Sequence, residues 1–170
     1  MRTSALAVTL LTVSLALPAA AAQARPAHDH VNDRVASASP KAKTVHMRSR
    51  AWAAKVVELT NDRRRAHGVK PLKAARCPRH FAAPWARHMA RTQTMVHHSS
   101  LSPLFRCGRS PSTAGENIAE GFETPGALVR AWMSDKGHRD NLLDPAFKRI
   151  GVAGARLGHG WTFAIQDFVG

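Results

Sequence analysis

The C-terminal end of the chain constrains the fold most strongly. Segments 149–157 and 161–169 have the composition and pattern of β-strands, and Gly158-His159-Gly160 between them is typical of a hairpin turn. A hairpin pairs its two strands antiparallel. The segments before it show helical periodicity. Helices first and a strand hairpin last predict an α+β domain built in layers, and they disfavour a repeated β-α-β fold with a parallel sheet.

Two early segments are predicted to be helices because their apolar residues recur at the spacing of one helix face. The first begins near Arg50, and Gly68 ends it. The second begins near Pro78. Pro84 lies inside its pattern and predicts a kink or a late start, because proline removes a backbone donor and clashes with the preceding turn. The apolar faces consist of Trp52, Val56 and Leu59 in the first helix and of Phe81, Trp85 and Met89 in the second.

A third helix is predicted to follow the capping residue Thr124, with Pro125 in its first turn, and to end at Gly137. Before it, residues 115–119 are a short strand candidate and residues 99–113 form a polar loop. The apolar face of the third helix comprises Leu128, Val129, Trp132 and Met133. At helical apolar positions, Trp52, Trp85 and Trp132 are expected in the core.

The N-terminus is predicted to be a signal peptide. Residues 5–17 form an apolar run after a short basic start, and small residues in an A-x-A pattern follow, with cleavage after Ala24 or alternatively after Ala22. The run is shorter than the roughly 20 apolar residues of a membrane span, which disfavours an anchor. We therefore predict a secreted chain with a signal peptide at 1–24, a flexible basic linker at 25–49, one folded domain at 50–170 and no later transmembrane segment.

Cys77 and Cys107 are the only cysteines in the sequence. An exported chain meets an oxidising environment in which a single bridge persists, so we predict that they form a disulfide. The alternative is a pair of buried free thiols. A metal site built on them is disfavoured because neither cysteine belongs to a C-x-x-C pair.

The chain is strongly basic, with a formal net charge of +14 at pH 7. For an exported protein this charge favours contact with anionic polymers of the cell envelope, and we expect no nucleic-acid partner. A basic surface without a specific partner is the alternative. The run Arg63-Arg64-Arg65 is either a phosphate-binding patch or, as is usual for charges on a helix, the solvent-exposed face of the first helix.

Three segments concentrate side chains that can move protons or bind metal: 95–101 with His97 and His98, 114–119 with Glu116, and 132–141 with Asp135 and His138. Glu116 stands among glycine, isoleucine and alanine, where an ionised carboxylate is costly to bury without partners. Imidazoles that carry positive charge or bind metal are natural partners for it. We therefore expect Glu116 to be hydrogen-bonded, paired or placed in a cleft.

These segments resemble the CAP superfamily of cysteine-rich secretory proteins, antigen 5 and pathogenesis-related 1 proteins, in its bacterial secreted form, also called the SCP domain. The resemblance covers roughly residues 51–170. It rests on four motifs in order: Asn61-x2-Arg64-x3-Gly68-x2-Pro71-Leu72, the segment from Met95 to Leu101, Gly115-Glu116-Asn117-Ile118-Ala119, and the block from Trp132 to Leu142 continued by Pro145-x-Phe147-x2-Ile150-Gly151-Val152. Each motif alone is weak, and four in order are specific. The resemblance implies a three-layer α-β-α sandwich with a central, mostly antiparallel sheet.

The family's cleft is built from two histidines and two acidic residues. By motif position the resemblance implies His98 as the first histidine, with His97 as the alternative, Glu116 as the first acid and His138 as the second histidine. Where many relatives have glutamate three residues after the tryptophan, this chain has Asp135, whose side chain is one methylene shorter. By motif position, Asp135 is therefore the candidate for the second acid.

Two function classes remain. The leading one is a secreted, monomeric binding module whose ligand is a lipid or sterol-like molecule, as the resemblance implies, or an anionic cell-wall polymer, as the charge implies. The alternative is an extracellular metal-assisted hydrolase or protease, in which His98, Glu116 and His138 form the cleft, zinc or another divalent cation is held there, and Glu116 is the general base. A hydrogen-bonded network without metal has at least equal weight. A serine hydrolase is disfavoured because there is no G-x-S-x-G elbow.

Overall fold

The structure is a computed structural model, and it describes residues 44–107 and 113–170. The predicted signal peptide, most of the predicted linker and residues 108–112 of the predicted loop lie outside the described residues. In chain order, the described elements are β1 (Val45–Met47), α1 (Arg50–Ala66), β2 (Lys73–Ala74), α2 (Arg76–Thr92), a 3-10 helix (Ser102–Arg106), β3 (Ala114–Glu120), α3 (Pro125–Ser134), α4 (Lys136–Leu143), β4 (Arg149–Leu157) and β5 (Thr162–Val169).

The sheet is built around the C-terminal hairpin. Its strand order is β1-β4-β5-β3, and each neighbouring pair on this path is antiparallel, so the predicted hairpin is confirmed as β4–β5. β2 runs parallel to β4 and pairs with its first two residues, whereas β1 pairs with its last three. Because β5 occupies one edge of β4, β1 and β2 share the other edge at its opposite ends.

Helices cover both faces of the sheet. α1, α3 and α4 pack on one face around a core that includes Trp52, Trp132 and Phe168. α2 packs on the other face around a second core that includes Met89 and Ile165. β4 and β5 present alternate side chains to the two layers, which is why both strands are almost wholly buried. The predicted three-layer α-β-α sandwich is therefore confirmed.

The start of α1 agrees with its sequence pattern. Ser49 caps the helix, since its Oγ accepts the backbone N–H of Trp52 at 3.1 Å. Gly68 follows the helix with a φ of 70°, a left-handed conformation that glycine adopts without strain. Trp52 and Trp132 are buried as expected, whereas Trp85 is only half-buried at the edge of the second core.

The basic run at the end of α1 is divided between solvent and core. Arg63 and Arg65 are exposed, but Arg64 is fully buried. Its guanidinium donates to four backbone carbonyl oxygens, those of Lys70, Leu142, Asp144 and Phe147. The interpretation of the run as a solvent-exposed face or phosphate patch is therefore wrong for Arg64, because its donors satisfy carbonyl groups in the segments that follow α1 and α4.

α2 starts earlier than predicted. It begins at Arg76 and continues through Pro84, so the predicted late start is wrong. Pro84 lies on the exposed side of the helix. Ala82, Ala86 and Met89 pack against the sheet on the other side, and such tertiary packing supplies most of the stability of a helix in a protein.

The break between α3 and α4 differs from the predicted helix end. α3 begins after the cap Thr124, as predicted, but it ends at Ser134, and Gly137 lies inside α4. Asp135 adopts an extended conformation between the helices, and its Oδ1 accepts the backbone N–H of His138 at 3.0 Å. The carboxylate cap of α4, rather than the glycine, therefore separates the helices.

Two short elements fall in segments without a predicted structure. Val45–Met47, within the predicted linker, form β1, and Ser102–Arg106, within the predicted loop, form the 3-10 helix. Segments this short contain too few residues to show a hydrophobic period. Cys77 and Cys107 form the predicted disulfide, which joins the first turn of α2 to the end of the 3-10 helix. Within the described ranges, no helix is both long and apolar enough to cross a membrane.

Candidate functional site

Two carboxylates face each other on the side of the sheet that α2 covers. Glu116 on β3 and Asp167 on β5 are register partners, and strand alternation places them beside Ile118 and Ile165 of the second core. Only 6% of Glu116 and none of Asp167 is exposed to solvent. Two buried acids on neighbouring strands oppose each other's ionisation, so each needs a proton, a hydrogen-bond donor or a cation.

Glu116 receives its donors from the segment that follows α2. His97 donates from Nδ1 to one carboxylate oxygen at 2.6 Å, and the backbone N–H of His98 donates to the same oxygen at 3.1 Å. Nδ1 of His98 donates to the other oxygen. Both histidines therefore contact Glu116, but the side chain of His98 is 10% exposed and that of His97 is 59% exposed.

Aromatic side chains on α2 hold the ring of His98 in place. Phe81 and Trp85 stand four residues apart on one helix face, and the His98 ring stacks on both, with centroid distances of 4.0 and 4.2 Å. Trp85 also donates from its indole nitrogen to the carbonyl oxygen of Val96 at 2.8 Å. α2 thus positions the histidine segment in two ways, through the hydrogen bond to the backbone of Val96 and through the stacking of the His98 ring.

The two carboxylates have different proton affinities. Burial raises the pKa of Glu116, but the hydrogen bonds from His98 and His97 outweigh burial and leave the pKa below its ordinary value. Burial, with the nearby charge of Glu116 as the second cause, raises the pKa of Asp167 to about 9. Among the residues that the structure describes, none donates a hydrogen bond to either oxygen of Asp167. At neutral pH without a cation, Asp167 is therefore protonated and Glu116 is ionised.

These side chains form a set of ligands suited to a divalent cation. One nitrogen of His98 and one oxygen from each of Glu116 and Asp167 lie within 4.8 Å of one another. Imidazole nitrogen and carboxylate oxygen are ligands that zinc accepts, and three protein ligands leave a coordination position for a further group. The two Asp167 oxygens without donors fit the same interpretation, because a cation would satisfy them. The residues present therefore fit a divalent cation, with Asp167 rather than the predicted His138 beside His98 and Glu116.

Asp135 and His138 lie outside this set of three. Oδ1 of Asp135 is 2.9 Å from Nδ1 of His138, and the two side chains form a pair on the first turn of α4. Their link to β3 runs through the backbone, because Asn117 donates from its side chain to the carbonyl oxygen of His138 at 3.1 Å. The structure thus brings His97, His98 and Glu116 together, and it places Asp135 and His138 in a separate pair.

Asp167 is the site residue that sequence reasoning missed. It stands among phenylalanine, isoleucine and valine in a strand, which is the same signal that singled out Glu116. The hairpin pattern already placed Asp167 in the last strand. Only the pairing of β3 with β5 could show that it lies opposite Glu116.

The opposite face of the same strands carries a second polar cluster. Asn117 and Gln166 are also register partners, and they hydrogen-bond to each other at 3.3 Å. Gln166 donates to Thr60 of α1 at 2.9 Å, and Asn141 of α4 donates to Asn117 at 2.9 Å and to the carbonyl oxygen of Glu116 at 3.1 Å. This cluster ties α1 and α4 to β3 and fixes the backbone from which Glu116 projects.

Comparison with known protein families places most of the described chain in one family. The family model for the CAP domain, described as the cysteine-rich secretory protein family, matches residues 57–168. YkwD of Bacillus subtilis (strain 168) is 41% identical over 125 residues, which cover 71% of this chain and 48% of YkwD. This chain therefore spans about half the length of that relative.

Three of the solved structures that this chain resembles are bacterial proteins. An extracellular protein containing an SCP domain from Bacillus anthracis str. Ames aligns with a TM-score of 0.59 and 26% identity, over 70% of this chain and 40% of that protein. An outer surface protein from Borrelia burgdorferi aligns with a TM-score of 0.66 and 15% identity, over 74% and 98%. A cysteine-rich secretory protein from Staphylococcus aureus subsp. aureus Mu50 aligns with a TM-score of 0.55 and 21% identity, over 70% and 38%. The last two are similar in fold alone.

Proposed function

This chain belongs to the CAP family of cysteine-rich secretory proteins, and from this premise we propose that it is an exported binding module whose His98, Glu116 and Asp167 hold a divalent cation. One observation carries the proposal. Asp167 is fully buried beside a second carboxylate, and within residues 44–107 and 113–170 no group donates to either of its oxygens. Native proteins rarely leave buried polar atoms unpaired, and a cation is the partner that two adjacent carboxylates attract most strongly.

The residues around His98, Glu116 and Asp167 support binding of a ligand at these three side chains. Phe81 and Trp85 restrict the His98 ring, so little side-chain entropy remains to be lost when a ligand binds. His97 is the exposed partner of Glu116 and is free to contact a molecule that approaches from solvent. When bound, the cation would supply a Lewis acid and an electrostatic anchor for an anionic ligand.

Export is the second part of the proposal. The apolar N-terminal run with its A-x-A pattern supports it, and so does the disulfide between Cys77 and Cys107. Relatives in the fold comparison are described as extracellular or outer-surface proteins. We expect N-terminal sequencing of the protein from culture medium to begin at Arg25, or at Gln23 if the alternative site is used. Retention of the whole protein inside the cell would contradict export.

A metal-assisted hydrolase is the second candidate, and the contact between His97 and Glu116 favours it. A carboxylate that accepts a hydrogen bond from Nδ1 of a histidine leaves the other ring nitrogen available as a base, and His97 is largely exposed. In this scheme Glu116→Gln abolishes turnover of peptide or ester substrates while the protein stays folded. In a binding module no such turnover exists to be lost.

The cation site is tested by calorimetric titration of zinc into the wild type, Asp167→Asn and Asp135→Asn. Asp135→Asn is the matched control, because it also removes a carboxylate that contacts a histidine. We expect stoichiometric binding to the wild type, a loss of affinity of at least about tenfold in Asp167→Asn, and little change in the control. Equal affinity in the wild type and Asp167→Asn would place the metal elsewhere, and absence of binding would leave the histidines as structural links.

A further inference from the structure

A basic groove lies between the first turns of α1 and α2. Its volume is about 610 Å³, and it is lined by Arg50 of α1 and by Arg76, Arg79 and His80 of α2. Among the described residues that line it, none is acidic. A groove with cations on two walls and no compensating carboxylate attracts anions more strongly than the same charges spread over a convex surface.

Small side chains line the rest of the groove. Ala53, Ala54 and Val57 of α1 form one wall, and Ile150 and Val152 of β4 contribute to the floor. Because no aromatic ring other than the imidazole of His80 is among the described lining residues, the groove lacks a broad platform on which nucleic-acid bases could stack. Methyl-lined walls with basic groups fit a chain of small aliphatic units joined by anionic linkages.

The floor of the groove includes an unpaired piece of sheet edge. Ala75 donates its backbone N–H to the carbonyl oxygen of Ile150, and Arg48 donates to that of Gly154, so backbone groups of every second residue point to this edge. In the part of the chain that the structure describes, no strand pairs with 151–154 there. Val152 lies midway between these two residues, so its backbone N–H and C=O point to the same edge at the floor of the groove.

The basic walls are held firmly against this edge. A Cβ atom on Gly151 would lie 2.1 Å from the backbone nitrogen of Arg79, so glycine is needed for α2 to start directly on β4. The first turn of α2 contains no acidic residue, and its N-cap residue Ala75 makes no side-chain hydrogen bond. The helix dipole therefore adds positive potential to that of Arg76 and Arg79.

We infer that this groove binds a phosphodiester polymer with polyol linkers, of the chemistry of poly(glycerol phosphate). Phosphates would contact the arginines, and the polyol units would lie along the small side chains and the β4 edge. A short segment of such a chain suits the volume and the open shape of the groove, and the net charge of +14 favours the same class of partner. The inference extends the proposed binding role to a second site, and it does not depend on the cation site.

Binding of short poly(glycerol phosphate) chains to the purified protein at low salt tests the inference. The double variant Arg76→Gln/Arg79→Gln is compared with Arg87→Gln/Arg91→Gln, which removes the same charge from the exposed face of the same helix. We expect affinity to fall by about tenfold or more in the groove variant and by less than about threefold in the control. Ala54→Phe, which fills the groove without a change of charge, should also weaken binding, whereas Ala51→Phe outside the groove should not.

Several results would overturn the inference. Equal losses in the two arginine pairs would show that overall charge drives binding. Tighter binding of an oligothymidylate with the same number of phosphates would assign the groove to nucleic acid, and absence of binding at low salt would remove the polymer altogether. Thermal melts establish that all variants are folded. Polymer binding is measured with a chelator present, so a failure of the cation proposal and a failure of this inference remain distinguishable.

Discussion

Adjacent residues of β3 and β5 carry two polar pairs to opposite faces of the sheet. On the α1 face, Asn117 and Gln166 bond to each other and to neighbouring side chains, and both are fully buried. On the α2 face, Glu116 binds two histidines, but its partner Asp167 has no donor for either oxygen in the part of the chain that the structure describes. The same strand pairing supports both pairs. Among the described residues, however, only Asn117 and Gln166 find hydrogen-bond partners for both members of the pair.

The difference indicates a structural role for the pair on the α1 face and a binding role for the pair on the α2 face. Amide side chains carry both donors and acceptors, so a cluster of them can satisfy itself inside a protein. Two carboxylates carry only acceptors when ionised, so they need something from outside the pair. The α1-face cluster is therefore suited to holding helices on the sheet. The α2-face pair is suited to binding a proton or a cation, at a cost in stability when neither is bound.

The largest effect on stability is expected from a substitution in the hydrogen-bonded cluster on the α1 face. Gln166→Leu removes the donor to the buried Thr60 hydroxyl and the acceptor of one Asn117 N–H, so we expect a loss of about 3 kcal/mol in the free energy of unfolding. Urea denaturation measures it. A loss below about 1 kcal/mol would show that the cluster rearranges or admits water, and the contrast between the faces would weaken.

A substitution on the α2 face is expected to raise the free energy of unfolding instead of lowering it. In the presence of a chelator at pH 8, Asp167→Asn removes a buried acid to which no described residue donates, so we expect a gain of about 2 kcal/mol in the free energy of unfolding. Zinc should then stabilise the wild type and not the variant. Thermal melts with and without zinc measure both effects. A destabilised variant under chelator would mean that Asp167 is better satisfied than its contacts show.

The pH dependence of stability follows from the raised pKa of Asp167. From its ordinary value of 3.8 up to about 9, the native state holds a proton on this group that the unfolded state has lost. Stability therefore falls as pH rises through this window, by at most about 1.4 kcal/mol per pH unit from this group. Denaturation curves from about pH 5 to about pH 9 under chelator should show a slope that Asp167→Asn removes. Parallel curves for the two proteins would contradict the assignment.

Glu116 contributes in the opposite direction at lower pH. Its lowered pKa gives stability that is present above its unfolded pKa and is lost as pH falls through the folded value. The curve of Glu116→Gln should therefore lack the acid-side loss that the wild type and Asp167→Asn share. An unchanged acid limb would assign that loss to other groups.

The smallest effects on stability are expected from substitutions of the two histidines, and their difference distinguishes the roles of the two side chains. His98→Ala removes a ring stacked on Phe81 and Trp85 together with a donor to Glu116, and we expect a loss of about 1.5 kcal/mol. His97→Ala removes a side chain that is 59% exposed, and we expect a loss of no more than about 0.5 kcal/mol. Equal losses would show that the stack does not hold the site.

Local patterns in the sequence were sufficient for the outline of the fold and for part of the site. The C-terminal hairpin, the cap of α3 at Thr124, and the carboxylate of Glu116 in an apolar strand are each visible within a few residues. Position within the four family motifs marked the segment of His97 and His98. The predicted helix end at Gly137 was wrong because Asp135 caps a second helix whose first turn contains Gly137, so one local signal outweighed another.

Periodicity by itself determined a layered α+β domain that ends in a hairpin. The four motifs in order added, through the resemblance to the CAP family, the α-β-α sandwich and the pairing of the histidine segment with Glu116 as candidate partners. Only the tertiary structure decided that Asp167 is the second acid beside Glu116 and that Asp135 pairs with His138. It also decided that Arg64 is buried and bonds to backbone carbonyl oxygens. The physical reason is the range of the interactions. A hydrophobic period or a helix cap is set by neighbours in sequence, whereas the register between β3 and β5 joins residues far apart in the chain and depends on the packing of the whole sheet.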